Sequence, residues 1–267
     1  MDNEISEPAA EGSPKAKAMT RAAIRHAVPF FLWIGIMLLA GMMHLTPGSG
    51  TEETPSLNLV SDALLYAIKT GAVLVALLIL RPWRHYAAPS RKNLALGLLV
   101  GFGVFGIWVI PETDWFAKIC PSLATLYETW CVRPFGELRA ADCAAQTAAL
   151  YAPSATGWPL FAAHLVGTGL VISVAEEFFW RGYLMRTVRT PDFLDIDVGE
   201  FHLLSFLAVA ALFAAEHTEA LAGFLAGLAF AALYLRTRDI WSACLAHATT
   251  NLLLGLYVPL TGHWEFW

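Results

Sequence analysis

Charge is what this 267-residue chain lacks: Asp, Glu, Lys and Arg make up 15% of it, where an ordinary soluble domain carries about 25%. The hydrophobic share is 57% and the mean hydropathy +0.55, and the apolar residues come in blocks rather than evenly. That is the composition of a polytopic membrane protein, not of a soluble domain with one core. No basic cluster accompanies the net charge of -5, which excludes nucleic acid as a partner. No H-E-x-x-H occurs, so the usual helical zinc-protease signature is missing. The only G-x-G-x-x-G, GFGVFG at 101–106, lies inside an apolar block with no strand before it, so a dinucleotide loop is excluded. No internal repeat is visible, which weighs against an inverted-repeat transporter. Cysteine is scarce as well. Cys120, Cys131 and Cys143 share one segment, where one pair could close a disulfide on an oxidising side, or all three stay free. Cys244 sits in an apolar block and reads as a small buried hydrophobe, with a thiol nucleophile beside His247 only a remote alternative.

What is there is a series of membrane-length runs. About 20 apolar residues cross a bilayer core as a helix, which gives spans near 28–46, 62–80, 94–110, 160–181, 202–218, 220–235 and 240–258, with an eighth possible. The predicted fold is therefore an all-α polytopic transmembrane bundle. Residues 1–27 read as a disordered cytoplasmic tail and 28–267 as one membrane domain, with 111–159 a long outer loop and 160–258 the functional core. The first run ends in MMHLTPGSG without a cleavage site, so it reads as a retained span. Lys and Arg follow every second connection: Lys15 to Arg25, Arg81 to Lys92, Arg181 to Arg189, and Arg236 with Arg238. By the positive-inside rule the N-terminus is inside and the C-terminus outside. Trp33, Trp83, Trp108, Trp158, Trp241 and Trp264 fall near span ends, as interfacial aromatics do. Gly97/Gly101 and Gly223/Gly227 are small-xxx-small pairs that predict close helix packing. No eukaryotic retention signal is present, and a bacterial inner membrane is the expected location.

Ionisable side chains inside spans are costly and usually functional. His44, Lys69 and His164 have bland readings as interfacial or snorkelling groups, and the turn at 218–220 would let Glu216 reach water. Others are harder to dismiss. Glu177 and Arg181 are i,i+4 neighbours in the favourable order for an ion pair. Glu176 is rotated about 100° from Glu177 and is left free, as a general base for water requires. His217 follows Phe213 at i,i+4, and Asn251 follows His247 at the same spacing. An acid, two histidines and an amide on three spans make up the parts of a hydrolytic site. The bland alternative is a helix-to-helix hydrogen-bond network.

EEFFWR (176–181), FAAEH (213–217) and HATTN (247–251), in that order on successive spans, resemble the CAAX-protease and bacteriocin-processing (CPBP, Abi) family of intramembrane proteases, related to the Rce1-type prenyl-protein endopeptidase. GFLAGLAFAALYLRTRDIW (223–241) is similar to the glycine-containing span before the family's last motif. The resemblance covers about 160–258. It implies that Glu176 activates the attacking water with His217, that His247 and Asn251 stabilise the oxyanion, and that Glu177 and Arg181 support the geometry. It implies a membrane-associated or lipidated protein or peptide as substrate and the lipid bilayer as surroundings, with the oligomeric state open. No cofactor is expected; the zinc alternative would use Glu176, His217 and His247. Competing functions are a non-catalytic membrane binding, immunity or scaffold protein and a proton-coupled transporter. One tension stands in the span positions. Glu176 and His247 lie toward the inner side, His217 toward the outer end of its span, so the limit near 202 is expected to be wrong and the cavity to open inward.

Overall fold

The computed structural model describes residues 12–42, 55–132 and 151–266. Seven helices carry the architecture: α1 (Pro14–Met42), α2 (Pro55–Leu80), α3 (Arg91–Val109), α4 (Trp158–Thr187), α5 (Leu203–Ala215), α6 (Ala220–Thr237) and α7 (Ile240–Thr261). No strand occurs among the described residues. Six of these helices are long and apolar enough to cross a membrane; α5 is apolar but shorter. The chain is therefore an integral, multi-pass, all-α membrane protein. The possible eighth span has no counterpart among the described residues, and His44 and Cys143 lie outside them.

The first helix starts earlier than expected, at Pro14 rather than near 28. Gly12 adopts φ 81°, the Ser13 hydroxyl accepts from the Ala16 amide at 3.1 Å, and proline occupies the first helical position. These are three separate start signals. Lys15 then pairs with Asp192 at 3.0 Å and Asp195 at 2.6 Å, which ties that end of α1 to the connection after α4. Residues 14–27 of the expected disordered tail are thus helical and docked. The expected outer loop also holds structure. Its described part includes the short helices Asp114–Ile119, Pro121–Tyr127 and Pro153–Thr156, the first capped by the Thr113 hydroxyl, which accepts from the Phe116 amide. Cys120 and Cys131 there carry free thiols. Cys244 packs among Phe178, Tyr234, Ile240 and Ala243, as a small buried hydrophobe does.

Glycine sets the helix spacing. A Cβ on Gly97 would lie 2.6 Å from the Ser242 carbonyl oxygen, and one on Gly101 equally close to that of Ala246, so α3 and α7 pack backbone to backbone. Gly227 and Gly223 do the same for α6 against Ala210 and Ala214 of α5. Both small-xxx-small pairs therefore act as read from the sequence. The lipid-facing surface is apolar, with Leu39, Ile79 and Leu99 more than half exposed. Trp33 and Trp108 depart from the aromatic-belt expectation: both are buried. Their rings face inward because a polar cavity there needs walls.

The expected error near residue 202 is not found, because α5 begins at Leu203 with the His202 Nδ1 accepting from the Ser205 amide at 3.3 Å. The tension is relieved by length instead. Thirteen residues span about 20 Å, less than the roughly 30 Å hydrocarbon core, so the end of α5 stops at depth.

Candidate active site

The two glutamates ride on an irregular helix. Within α4, the α-helical segment Ser173–Glu177 lies between two π turns, Gly167–Ile172 and Phe178–Leu184. A π turn displaces backbone carbonyls from their usual partners, and such turns concentrate at functional positions. Here the Thr168 carbonyl accepts from the Ser173 hydroxyl and from Asn251 Nδ2 of α7, both at 3.1 Å. Gly167 lets α2 pack closely against this turn, because a Cβ would lie 2.4 Å from the Thr70 hydroxyl and 2.7 Å from the Tyr66 ring.

Glu177 is fully buried and doubly engaged. One of its oxygens accepts from Arg181 Nη1 and from His247 Nδ1, each at 2.9 Å. Arg181, also fully buried, donates its other terminal nitrogen to the Gly227 carbonyl at 3.0 Å. Its guanidinium stands 4.8 Å over the Phe213 ring and 5.6 Å over that of Phe230. His247 stacks on Phe230 with ring centroids 5.1 Å apart. Four helices therefore hold one ion pair, with Glu177 Oε2 and Arg181 Nε left without a hydrogen-bond partner among the described residues. A carboxylate only accepts, so the hydrogen of this bond sits on His247 Nδ1, and neutral His247 presents a lone pair at Nε2. That nitrogen faces Glu176 at 3.9 Å, beyond hydrogen-bond length.

Glu176 is the opposite case. It faces a cavity of about 540 Å³, shared with His217, Asn251, Glu216, Lys69 and His164. Its Oε2 is buried and has no hydrogen-bond partner among the described residues. His217 sits just past the end of α5, where its Nδ1 donates to the Phe213 carbonyl at 2.7 Å and its ring meets Trp108 edge-on at 5.3 Å. In its neutral form the Nε2 lone pair remains for a ligand. Gly223 makes room, since a Cβ there would lie 3.2 Å from that of His217. Glu216 faces the same space and accepts from Trp180 Nε1 at 3.1 Å.

The predicted residues thus fall into two groups. Glu176, His217 and Asn251 line the cavity; Glu177, Arg181 and His247 form the buried support behind it. Asn251 faces the cavity but directs its amide to the Thr168 carbonyl and the Ser173 hydroxyl, both 3.1 Å away. Lys69, His164 and Glu216, which the sequence alone reads as interfacial, snorkelling or water-facing groups, line the same cavity. The signal available was their membership in the short set of intramembrane ionisable groups.

Among the described residues no three His, Cys, Asp or Glu side chains gather so as to hold a metal ion. Of the residues named for the zinc alternative, Glu176 and His217 line the cavity, while His247 lies behind Glu176; both rings donate from Nδ1 and leave Nε2 open.

The position of the cavity also departs from expectation. Its walls come from the C-terminal halves of α1 and α7, the middle of α2, the end of α3, the first two-thirds of α4 and the α5–α6 turn. It therefore opens toward the end of the bundle opposite the start of α1, away from the basic connections around Arg84, Arg189 and Arg238. Relative to those connections the cavity lies at the other end from the one expected, because α5 is short enough to leave the α5–α6 turn as the rim.

Fold and site together define a polytopic membrane protein with a hydrolase-like polar centre inside its helices. Residues 157–253 match the family model described as type II CAAX prenyl endopeptidase Rce1-like. Over these residues the chain is similar to that family, in agreement with the resemblance of the three motifs, and the match supports an intramembrane protease. No curated protein and no solved structure matches the chain.

Proposed function

We propose that the protein hydrolyses a peptide bond in a membrane-associated or lipidated protein or peptide, using water activated by Glu176 and His217. The observation that carries this reading is the division of labour between adjacent glutamates. Glu177 is locked through one oxygen into contacts with Arg181 and His247 and stays off the cavity wall, whereas Glu176 faces the polar cavity. A water between Glu176 and His217 Nε2 meets two acceptors. Glu176 takes its proton as the water oxygen attacks the carbonyl carbon. The same proton then passes to the leaving amide nitrogen as the C–N bond breaks. His247, with its hydrogen on Nδ1, supports protonated Glu176 by accepting rather than by donating to the oxyanion. Asn251 holds the π turn that aims the Glu176 segment. In this reading both are positioning residues.

Water must reach a site inside a bilayer, and the short α5 supplies the path by bringing the polar α5–α6 turn down to the cavity. With the basic connections inside, the cavity opens to the outside of a bacterial inner membrane. Substrates then present the scissile bond from that side. The family description names prenyl substrates, and a prenylated C-terminus is one substrate of the right class.

The test compares protein termini in membranes from cells expressing wild type or Glu176→Gln at matched levels, by terminal-peptide mass spectrometry. New termini found only with wild type are expected. Identical termini in the native host, with both proteins folded, would sink the reading in favour of a binding or scaffold role.

A further inference from the structure

Lys69 is the cation of the cavity that the reaction above does not use. It lies near the middle of α2, is 7% exposed, and forms no ion pair among the described residues. A lysine at such depth is costly and marks function by default. Snorkelling does not describe it, because its ammonium is fixed: Nζ stands 3.8 Å from the Trp33 ring centroid and 4.4 Å from that of Tyr66. Those rings are themselves held. The Tyr66 hydroxyl lies 3.2 Å from the Thr168 hydroxyl, and its ring packs 4.1 Å from that of His164. Two aromatic faces stabilise the charge on one side, and the rest of the ammonium borders the cavity that also holds Glu176.

We propose that Lys69 is a carboxylate-binding subsite of this cavity, pairing with an anionic group of the peptide while Glu176 acts on its backbone. The proposal rests on the protease reading of the same cavity. A cavity of about 540 Å³ suits a short peptide segment. The carboxylate is therefore either the peptide's own C-terminus or an Asp or Glu side chain near the scissile bond. The aromatic pair explains how the empty site tolerates the charge, and the ammonium's three donors explain what it selects.

The experiment measures binding of fluorescent prenylated pentapeptides to full-length Glu176→Gln protein in nanodiscs. Three probes are used: a C-terminal free acid, its C-terminal amide, and an amide carrying one internal Glu. A charge-assisted contact of this kind is expected to make a carboxylate-bearing probe bind about 10-fold or more tightly than the plain amide. A gain for the free acid assigns the C-terminus, and a gain confined to the internal-Glu probe assigns the side chain. Lys69→Met should remove the gain while leaving the plain amide's affinity unchanged, which also reports that the variant is folded. Lys69→Arg should keep part of it. Equal binding of all probes, absence of binding, or a gain that survives Lys69→Met overturns the proposal. Carboxylate-selective binding without cleavage by protein with Glu176 intact would instead sink the protease reading and leave the subsite standing.

Discussion

Adjacent glutamates offer a comparison in which neighbouring substitutions of identical chemistry have opposite consequences. Glu177→Gln leaves the Arg181 cation fully buried with a neutral partner and weakens the bond to His247 Nδ1, both of which now run to one carboxylate oxygen. Removing one member of a buried pair costs about 3–5 kcal/mol, because the remaining charge has lost its compensation. The Gly227 carbonyl and the Phe213 and Phe230 rings still face Arg181, which places the expected loss toward the lower end of that range. Glu176→Gln removes an anion with no hydrogen bond at Oε2 and a nearest histidine nitrogen at 3.9 Å. Its stability is expected to stay within about 1 kcal/mol of wild type, while proteolysis is lost. The assay is SDS-driven unfolding in mixed micelles followed by tryptophan fluorescence, run on wild type and both variants beside the terminal-peptide measurement. Equal destabilisation by the two substitutions would refute the division into a free and a supporting carboxylate. So would a stable, inactive Glu177→Gln beside an active Glu176→Gln.

Three further outcomes are expected. Gly101→Ala places a methyl 2.6 Å from a backbone carbonyl of α7 and should destabilise by about 1–3 kcal/mol; Gly103→Ala, which meets nothing within 4 Å, should be neutral or slightly stabilising, and the same SDS titration checks both. Proteolysis should be unchanged after exhaustive treatment with a zinc chelator, since in the proposed reaction Glu176 and His217 activate the water without a metal; loss restored by added Zn²⁺ would overturn that reading. In a protein whose own cysteines are replaced, Thr218→Cys at the cavity rim should react with an impermeant maleimide on intact cells and Arg238→Cys only after permeabilisation, and the reverse pattern would refute the outward opening.

Hydropathy and spacing carried far because the physics behind them is local. Apolar length marks a crossing whatever its neighbours, and i,i+4 spacing brings Glu177 and Arg181 together in any helix. The glycine pairs were legible for the same reason. The start of α1 was within reach too, since Ser13–Pro14 is a cap signal, but the charged residues after it resemble a tail until Asp192 and Asp195 are brought near. What spacing does not encode is partner choice across the bundle. That His247 serves Glu177 rather than Glu176, and that Asn251 turns to the Thr168 carbonyl, depends on the rotation of α7 against α4. The bland reading of Lys69 failed similarly, because α2 alone gives no sign that Trp33 of α1 would cap its ammonium. The length of α5 misled most. The sequence stays apolar up to the turn, and the cavity's side follows from where that helix stops.

The two π turns of α4 make the register of that helix part of the site. Each holds one more residue than an α-helical turn of the same length, and the Glu176–Glu177 segment lies between them. Deleting a single residue from 167–172 would let the helix close into an ordinary α-helix, with every backbone bond satisfied and its apolar length nearly intact. The part bearing His164 and Thr168 would then turn by about 100° relative to Glu176. Such a chain would still keep its membrane-length apolar helices and still carry all three motifs. The glutamate that faces the cavity would point elsewhere, so an inventory of motif residues does not by itself describe a competent member of this fold; the count of residues between them does.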